Sequence, residues 1–196
     1  MSPVFEDQPI VAKSLGKTIL VKAVLVTLFV ILGFCLFIYF DSVACSMYYT
    51  GHPDKALEPT KRALWVQEHV IGHDSLETAN TRKNLARVYD ALGRFDEAEP
   101  LFAQAMKTYV MKNAQNTLGY SEILCFYGDH QMSLRKYDDS LNSYREARKI
   151  MSALNLSGTR EFAWTLQRVA NALKALNRRD EAAPVDAEAN KILGKA

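Results

Sequence analysis

An all-α protein is what the sequence predicts: one transmembrane helix that continues into a short α-solenoid of about three and a half to four helix pairs. Two observations carry this. Residues Ala23 to Phe40, AVLVTLFVILGFCLFIYF, are eighteen consecutive residues without a charge. Beyond them, small and acidic residues return every forty-two positions up to the C-terminal end. A fixed period of this size marks stacked supersecondary units.

The apolar run comes first in the chain. At 1.5 Å per helical residue it is about 27 Å long, close to the hydrocarbon thickness of a bilayer. Ile19 to Val21 lengthen it, because Lys22 can snorkel to the interface. A helix that is apolar on every face has no reason to sit on a soluble core. The organisation expected is a segment 1–17, a transmembrane helix 18–40 and a repeat region 41–194. Lys13, Lys17 and Lys22 precede the span, and the next cation after it is Lys55. Cations are retained in the cytoplasm, so the N-terminus is expected inside and the repeats outside, periplasmic or extracytoplasmic. A cleaved signal peptide and a lipoprotein signal are the rival readings. Ser42-Val43-Ala44-Cys45 partly resembles a lipobox, but Asp41 stands where apolar residues belong.

Four columns define the repeat. They are Ala44, Ala86, Gly128 and Ala170; Asp54, Asp96, Asp138 and Asp180; Ala56, Ala98, Ser140 and Ala182; and Ala63, Ala105, Ala147 and Ala189. Small residues permit close helix crossings. The Asp column is expected to open each second helix, accepting a free N–H and facing the positive end of the helix dipole. Asp96 with Glu99 has the spacing of a capping box. Pro59, Pro100 and Pro184 fall early in the second helices, where a missing N–H costs least. Larger apolar residues such as Leu85, Tyr89, Phe102, Tyr127 and Tyr144 fill the space between columns. The phase assigns repeats to about 36–71, 75–113, 117–155 and 159–194. It also makes the apolar run and the first repeat helix one continuous helix, since no Pro intervenes before Gly51.

Residues 85–105, LARVYDALGRFDEAEPLFAQA, resemble the tetratricopeptide repeat at nearly every defining position. The forty-two-residue period and the linker Ile71-Gly72-His73-Asp74 resemble the kinesin light chain type. The resemblance extends over roughly residues 40–194. The first unit departs at Thr60 and the fourth at Asp186, where an aromatic is usual.

What the resemblance implies is a concave groove lined by the first helix of each pair, binding other proteins. Carried across column by column, that groove presents Asn80, Lys83, Asn84, Arg87 and Asp90 from the second unit. The third contributes Glu122, Cys125, Phe126 and Asp129, and the fourth Trp164, Gln167, Arg168, Asn171 and Lys174. The family's Asn before the Leu-Ala pair occurs once, as Asn84; Phe126 and Arg168 take its place in the next two units. Asn and Arg can hold a peptide's carbonyls and carboxylates by directed hydrogen bonds.

Other functions find no residues to carry them. The chain has 196 residues and a net charge of +2, with no basic run of five, so nucleic acid is not the expected partner. Cys35, Cys45 and Cys125 are widely spaced and form neither a disulfide framework nor a zinc motif. His69 and His73 are four apart, but Gly72 breaks the helix between them, so no metal is expected. No phosphate loop, dinucleotide fingerprint or hydrolase elbow occurs. The expectation is no enzyme, no cofactor and no small-molecule substrate. The function expected is a membrane-anchored interaction scaffold, assembly factor or accessory subunit of a membrane complex. Its partners are proteins of that complex and the lipid around residues 19–40. The alternative is a purely structural subunit held by its transmembrane helix, with an idle groove.

Overall fold

The computed structural model describes the backbone of residues 8–194 apart from Ile71, and side chains from residue 19 onward. Residues 1–7 and the side chains of Lys13 and Lys17 lie outside the described residues, as does Ile71 of the linker. The described residues form eight helices and no strand: α1 Gln8–Tyr49, α2 Pro53–Val70, α3 Leu76–Ala91, α4 Phe95–Met111, α5 Leu118–Ser133, α6 Tyr137–Ala153, α7 Arg160–Ala175 and α8 Arg179–Ile192.

Consecutive helices pack as pairs, and each pair stacks only on its neighbours. Odd helices also touch the next odd helix, α3 against α5 and α5 against α7, so they share one face. This is the quasi-one-dimensional packing of a solenoid. The small columns explain how the pairs approach. Ala56, Ala63, Ala86, Ala98, Ala105, Ser140, Ala147, Ala170 and Ala189 are all fully buried. Large side chains fill the gaps between them, with Phe102, Ile123, Leu141, Tyr144 and Leu166 almost wholly inaccessible.

The expected helix continuity is observed: α1 is one helix of 42 residues. Its residues Ile19 to Leu32 are all exposed, whereas Gly33 is buried. There Val70, the last residue of α2, lies so close that a Cβ on Gly33 would meet its Cγ2 at 2.7 Å. The apolar run is therefore shared. Its first part projects alone, and Gly33 to Phe40 lie beside α2.

The capping expectation is corrected. Asp54, Asp96, Asp138 and Asp180 occupy the second position of their helices, not the cap, and α4, α6 and α8 have no side-chain cap hydrogen bond. At that position a carboxylate acts only through the dipole. Glu99 closes no capping box either: its two oxygens meet the Tyr127 hydroxyl at 2.9 Å and His130 Nε2 at 2.7 Å. The true caps belong to the odd helices, where Ser75, Thr117 and Thr159 accept from the N–H three residues on.

Candidate protein-binding groove

The odd helices enclose a concave cavity of about 450 Å³. Its walls are Asp41, Cys45 and Tyr48 of α1, Lys83, Asn84 and Arg87 of α3, Glu122, Cys125 and Phe126 of α5, and Trp164 and Arg168 of α7. Phe126 stands at the centre. The Arg87 guanidinium lies 3.8 Å from its ring centroid, Arg168 5.6 Å and the Lys83 ammonium 5.8 Å. A ring face attracts cations through its quadrupole, and three of them converge here.

Two of the three cations are neutralised within the protein. Lys83 Nζ donates to Glu122 Oε2 at 2.9 Å, joining α3 to α5. Arg168 donates to both oxygens of Asp129 at 2.9 and 3.1 Å, joining α7 to α5. Asp129 also accepts from the Tyr144 hydroxyl at 2.8 Å. Arg87 forms no ion pair among the described residues. Its guanidinium sits between Phe126 and Tyr48, 4.8 Å from the latter, and its Nε is buried without a hydrogen-bond partner. A planar cation stacked on aromatic rings keeps its edge donors for a carboxylate.

Burial pushes the Cys125 thiol up, and its Sγ lies 3.4 Å from Thr165 Oγ1. A raised thiol carries little thiolate, so it is an inert wall rather than a nucleophile. His69 and His73 have ring centroids 6.4 Å apart and different partners, Trp65 O for one and Glu68 for the other.

Of the groove residues expected from the sequence, Lys83, Asn84, Arg87, Glu122, Cys125, Phe126, Trp164 and Arg168 line this cavity. The others do not. Asn80 accepts from the Tyr109 hydroxyl of α4, and Asp129 is engaged by Arg168 and Tyr144. Asp90 holds His130, whose buried ring bridges it to Glu99. Lys174 turns to Asp186 of α8 at 2.7 Å. Gln167 and Asn171 lie outside the cavity wall. Lys83 is buried rather than solvent-facing, because Glu122 and Phe126 close over it. Sequence reasoning missed the wall from α1. The period does reach it: Asp41, Cys45 and Tyr48 stand forty-two positions before Lys83, Arg87 and Asp90.

Antiparallel helix pairs stacked around a concave, polar-and-aromatic groove define an α-solenoid of the kind that serves as an interaction scaffold. Residues 44–109 match the family model of the tetratricopeptide repeat, and the solenoid has the fold of solved kinesin light chain-like repeat structures. Solved structures share the fold. BtubC (BKLC) from P. vanneervenii superposes with a TM-score of 0.68 at 20% identity, over 79% of this chain and 62% of that one. A Podosopora anserina protein described as a putative kinesin light chain with nearly identical TPR-like repeats gives 0.69 at 16% identity, over 81% and 74%. Aspartyl phosphate phosphatase F from Bacillus subtilis gives 0.68 at 14% identity, over 98% of this chain and 48% of that one. The chain thus spans less than two thirds of the length of BtubC. No curated protein matches the sequence.

Proposed function

We propose that the chain is a membrane-anchored scaffold whose groove holds a segment of another protein, as an assembly factor or accessory subunit of a membrane complex, and that it is not an enzyme. The observation that carries this reading is that one helix does both jobs. α1 is exposed and apolar over Ile19 to Leu32, and its last turns supply Asp41, Cys45 and Tyr48 to the groove. An anchor fused to the groove wall keeps the partner within reach of the bilayer. Removal of α1 as a signal is opposed by Ala44, which is buried and would be lost on cleavage before Cys45. The lysine bias puts the N-terminus in the cytoplasm and the groove outside. Arg87 is the anchor point: it alone among the three central cations awaits a carboxylate, supplied by an acidic side chain or chain end of the partner.

One observation favours the rival reading of a purely structural subunit. Lys83 and Arg168 are already satisfied by Glu122 and Asp129, as in a wall that holds itself together. Copurification in mild detergent separates the two. Arg87→Ala and Phe126→Ala are expected to release a partner that the intact chain retains. Unchanged stoichiometry for both would leave the groove idle. A C-terminal cysteine reacted with a membrane-impermeant reagent in intact cells tests the orientation, and protection there would reverse it.

A further inference from the structure

α2 runs back from the turn at Gly51 toward the membrane end of α1. Val70 sits on Gly33, and the Arg62 guanidinium lies 5.7 Å from the Phe40 ring centroid, which fixes the two helices as antiparallel neighbours over this stretch. Eight of the eighteen charge-free residues, Gly33 to Phe40, are thus level with α2. At the same level Glu68 pairs with Arg82 at 2.8 Å, and such charges are expensive in hydrocarbon. The hydrocarbon must stop near Gly33. The uncovered helix Ile19 to Leu32 is then fourteen residues, about 21 Å, against a hydrocarbon thickness of about 30 Å. A short span is accommodated by local thinning and by snorkelling of its flanks, both of which draw the attached domain onto the lipid.

The edge of the solenoid that would arrive there is suited to it. Antiparallel pairing puts the turns after α2, α4 and α6 along one edge, and the first of these turns lies at Gly33. Trp65, Met111 and Leu154 near these turns are exposed by 60%, 51% and 38%. Val110 and Leu118 flank the same turns, and Trp164, one turn into α7, faces the groove instead. The turn residues 72–75, 112–117 and 154–159 contain a single carboxylate, Asp74, and the helices that follow add Glu77 and Glu161 in their first turns. The opposite turns, 92–94, 134–136 and 176–178, hold four cations, Arg94, Arg135, Lys136 and Arg178, beside the acidic pairs that open the next helices, Asp96–Glu97, Asp138–Asp139 and Asp180–Glu181. One edge carries exposed apolar side chains and few charges, and the other is densely charged with both signs.

We propose that the edge formed by the turns after α2, α4 and α6 rests in the headgroup layer of the bilayer that α1 crosses, with Trp65, Met111 and Leu154 as its lipid contacts. Trp favours that layer, where its ring is buried and its N–H stays wet. The groove is then held edge-on to the membrane surface and opens sideways along it. The inference rests on the membrane-anchor reading above.

The test uses the full chain in vesicles of phosphatidylcholine and phosphatidylglycerol whose acyl chains are brominated close to the headgroup. The chain has two tryptophans, so W164F leaves Trp65 as reporter and W65F leaves Trp164. In the doubly substituted background, Met111→Trp and Leu154→Trp report on the edge, and Lys136→Trp reports on the opposite one. Interfacial groups enter the lipid by about 5–10 Å, so about a twofold loss of emission is expected at positions 65, 111 and 154. None is expected at 136 or 164. Each reporter is used only if its circular dichroism and melt match the parent's. If the chain floats with the vesicles but the edge reporters are quenched no more than position 136, the edge contact is overturned while the anchor stands. Quenching of Trp65 alone overturns it too, since only the first pair would then touch lipid. A blue-shifted, unquenched edge marks a protein partner or a second copy there, and likewise overturns the lipid contact. A chain that fails to float with vesicles defeats the anchor reading itself, and this inference with it.

Discussion

Gly128 shows how one residue's environment is set by a neighbour sixteen positions on. Its column holds Ala in the other three units, yet a Cβ here would overlap the Tyr144 ring. Tyr144 is held in place by its hydroxyl bond to Asp129. Gly128→Ala is expected to destabilise by about 1–3 kcal/mol, less the roughly 0.5–1 kcal/mol that Ala gains as a helix former. Adding Tyr144→Leu should make the same Ala neutral or favourable; a chemical-denaturation cycle over the four variants measures this. The phenols also set an alkaline limit. Burial, then the Glu99 carboxylate, push Tyr127 up to about 12, and Tyr144 is raised further by burial and by Asp129. A group raised on folding contributes stability that is complete below its unfolded value, near 10, and is lost as pH rises through the folded value. Urea midpoints should therefore fall between pH 10 and about 12, and Tyr127→Phe should flatten that fall.

At the scale of the elements, every helix stops at a residue with positive φ. Gly51, Gly72, Gly93 and Gly194 end four of them, and Asn113, Asn155 and Asn177 three. Arg135, with φ of 60°, ends α5 and is the exception. A side chain with a full Cβ pays about 1–2 kcal/mol in this region, whereas Gly pays almost nothing. Arg135→Gly should stabilise the protein by roughly 1 kcal/mol, less some unfolded-state entropy, seen as a higher melting temperature. A lower one would mean that the Arg135 side chain has a role beyond the turn. The helix starts were only half legible in the sequence. The Asp column is acidic and regular, but it sits too deep in the helix to cap. Ser75, Thr117 and Thr159 recur at the same forty-two-residue step and do cap. Both columns are compatible with a helix start, and only backbone geometry separates a dipole partner from a hydrogen-bonded cap.

For the whole molecule, the first pair is expected to depend on the helix that enters it from the apolar run. Chains starting at Gly33, Asp41 and Gly51 should melt in that descending order. The second loses the cover of Gly33 to Phe40 on α2, and the third loses Ala44 and leaves Ala56, Ala63 and Leu64 open to water. Equal melting temperatures would show that the solenoid does not need its first helix.

Helical character, the solenoid and the unbroken passage of the apolar run into its first helix were legible in the sequence. Those features are local or periodic: no Pro between the apolar run and Gly51, and small residues every forty-two positions. Which groove residues are free depended on tertiary packing. Lys83 is buried because Glu122 lies 39 positions away on α5 and meets it at 2.9 Å. Lys174 leaves the groove for Asp186, and Arg87 has no ion pair among the described residues and lies between rings from the units on either side. Packing likewise leaves α1 covered only from Gly33 onward, because α2 is 18 residues long and Val70 ends it there. Periodicity tells which residues share a column, but burial and charge pairing depend on what the neighbouring column presents across the gap.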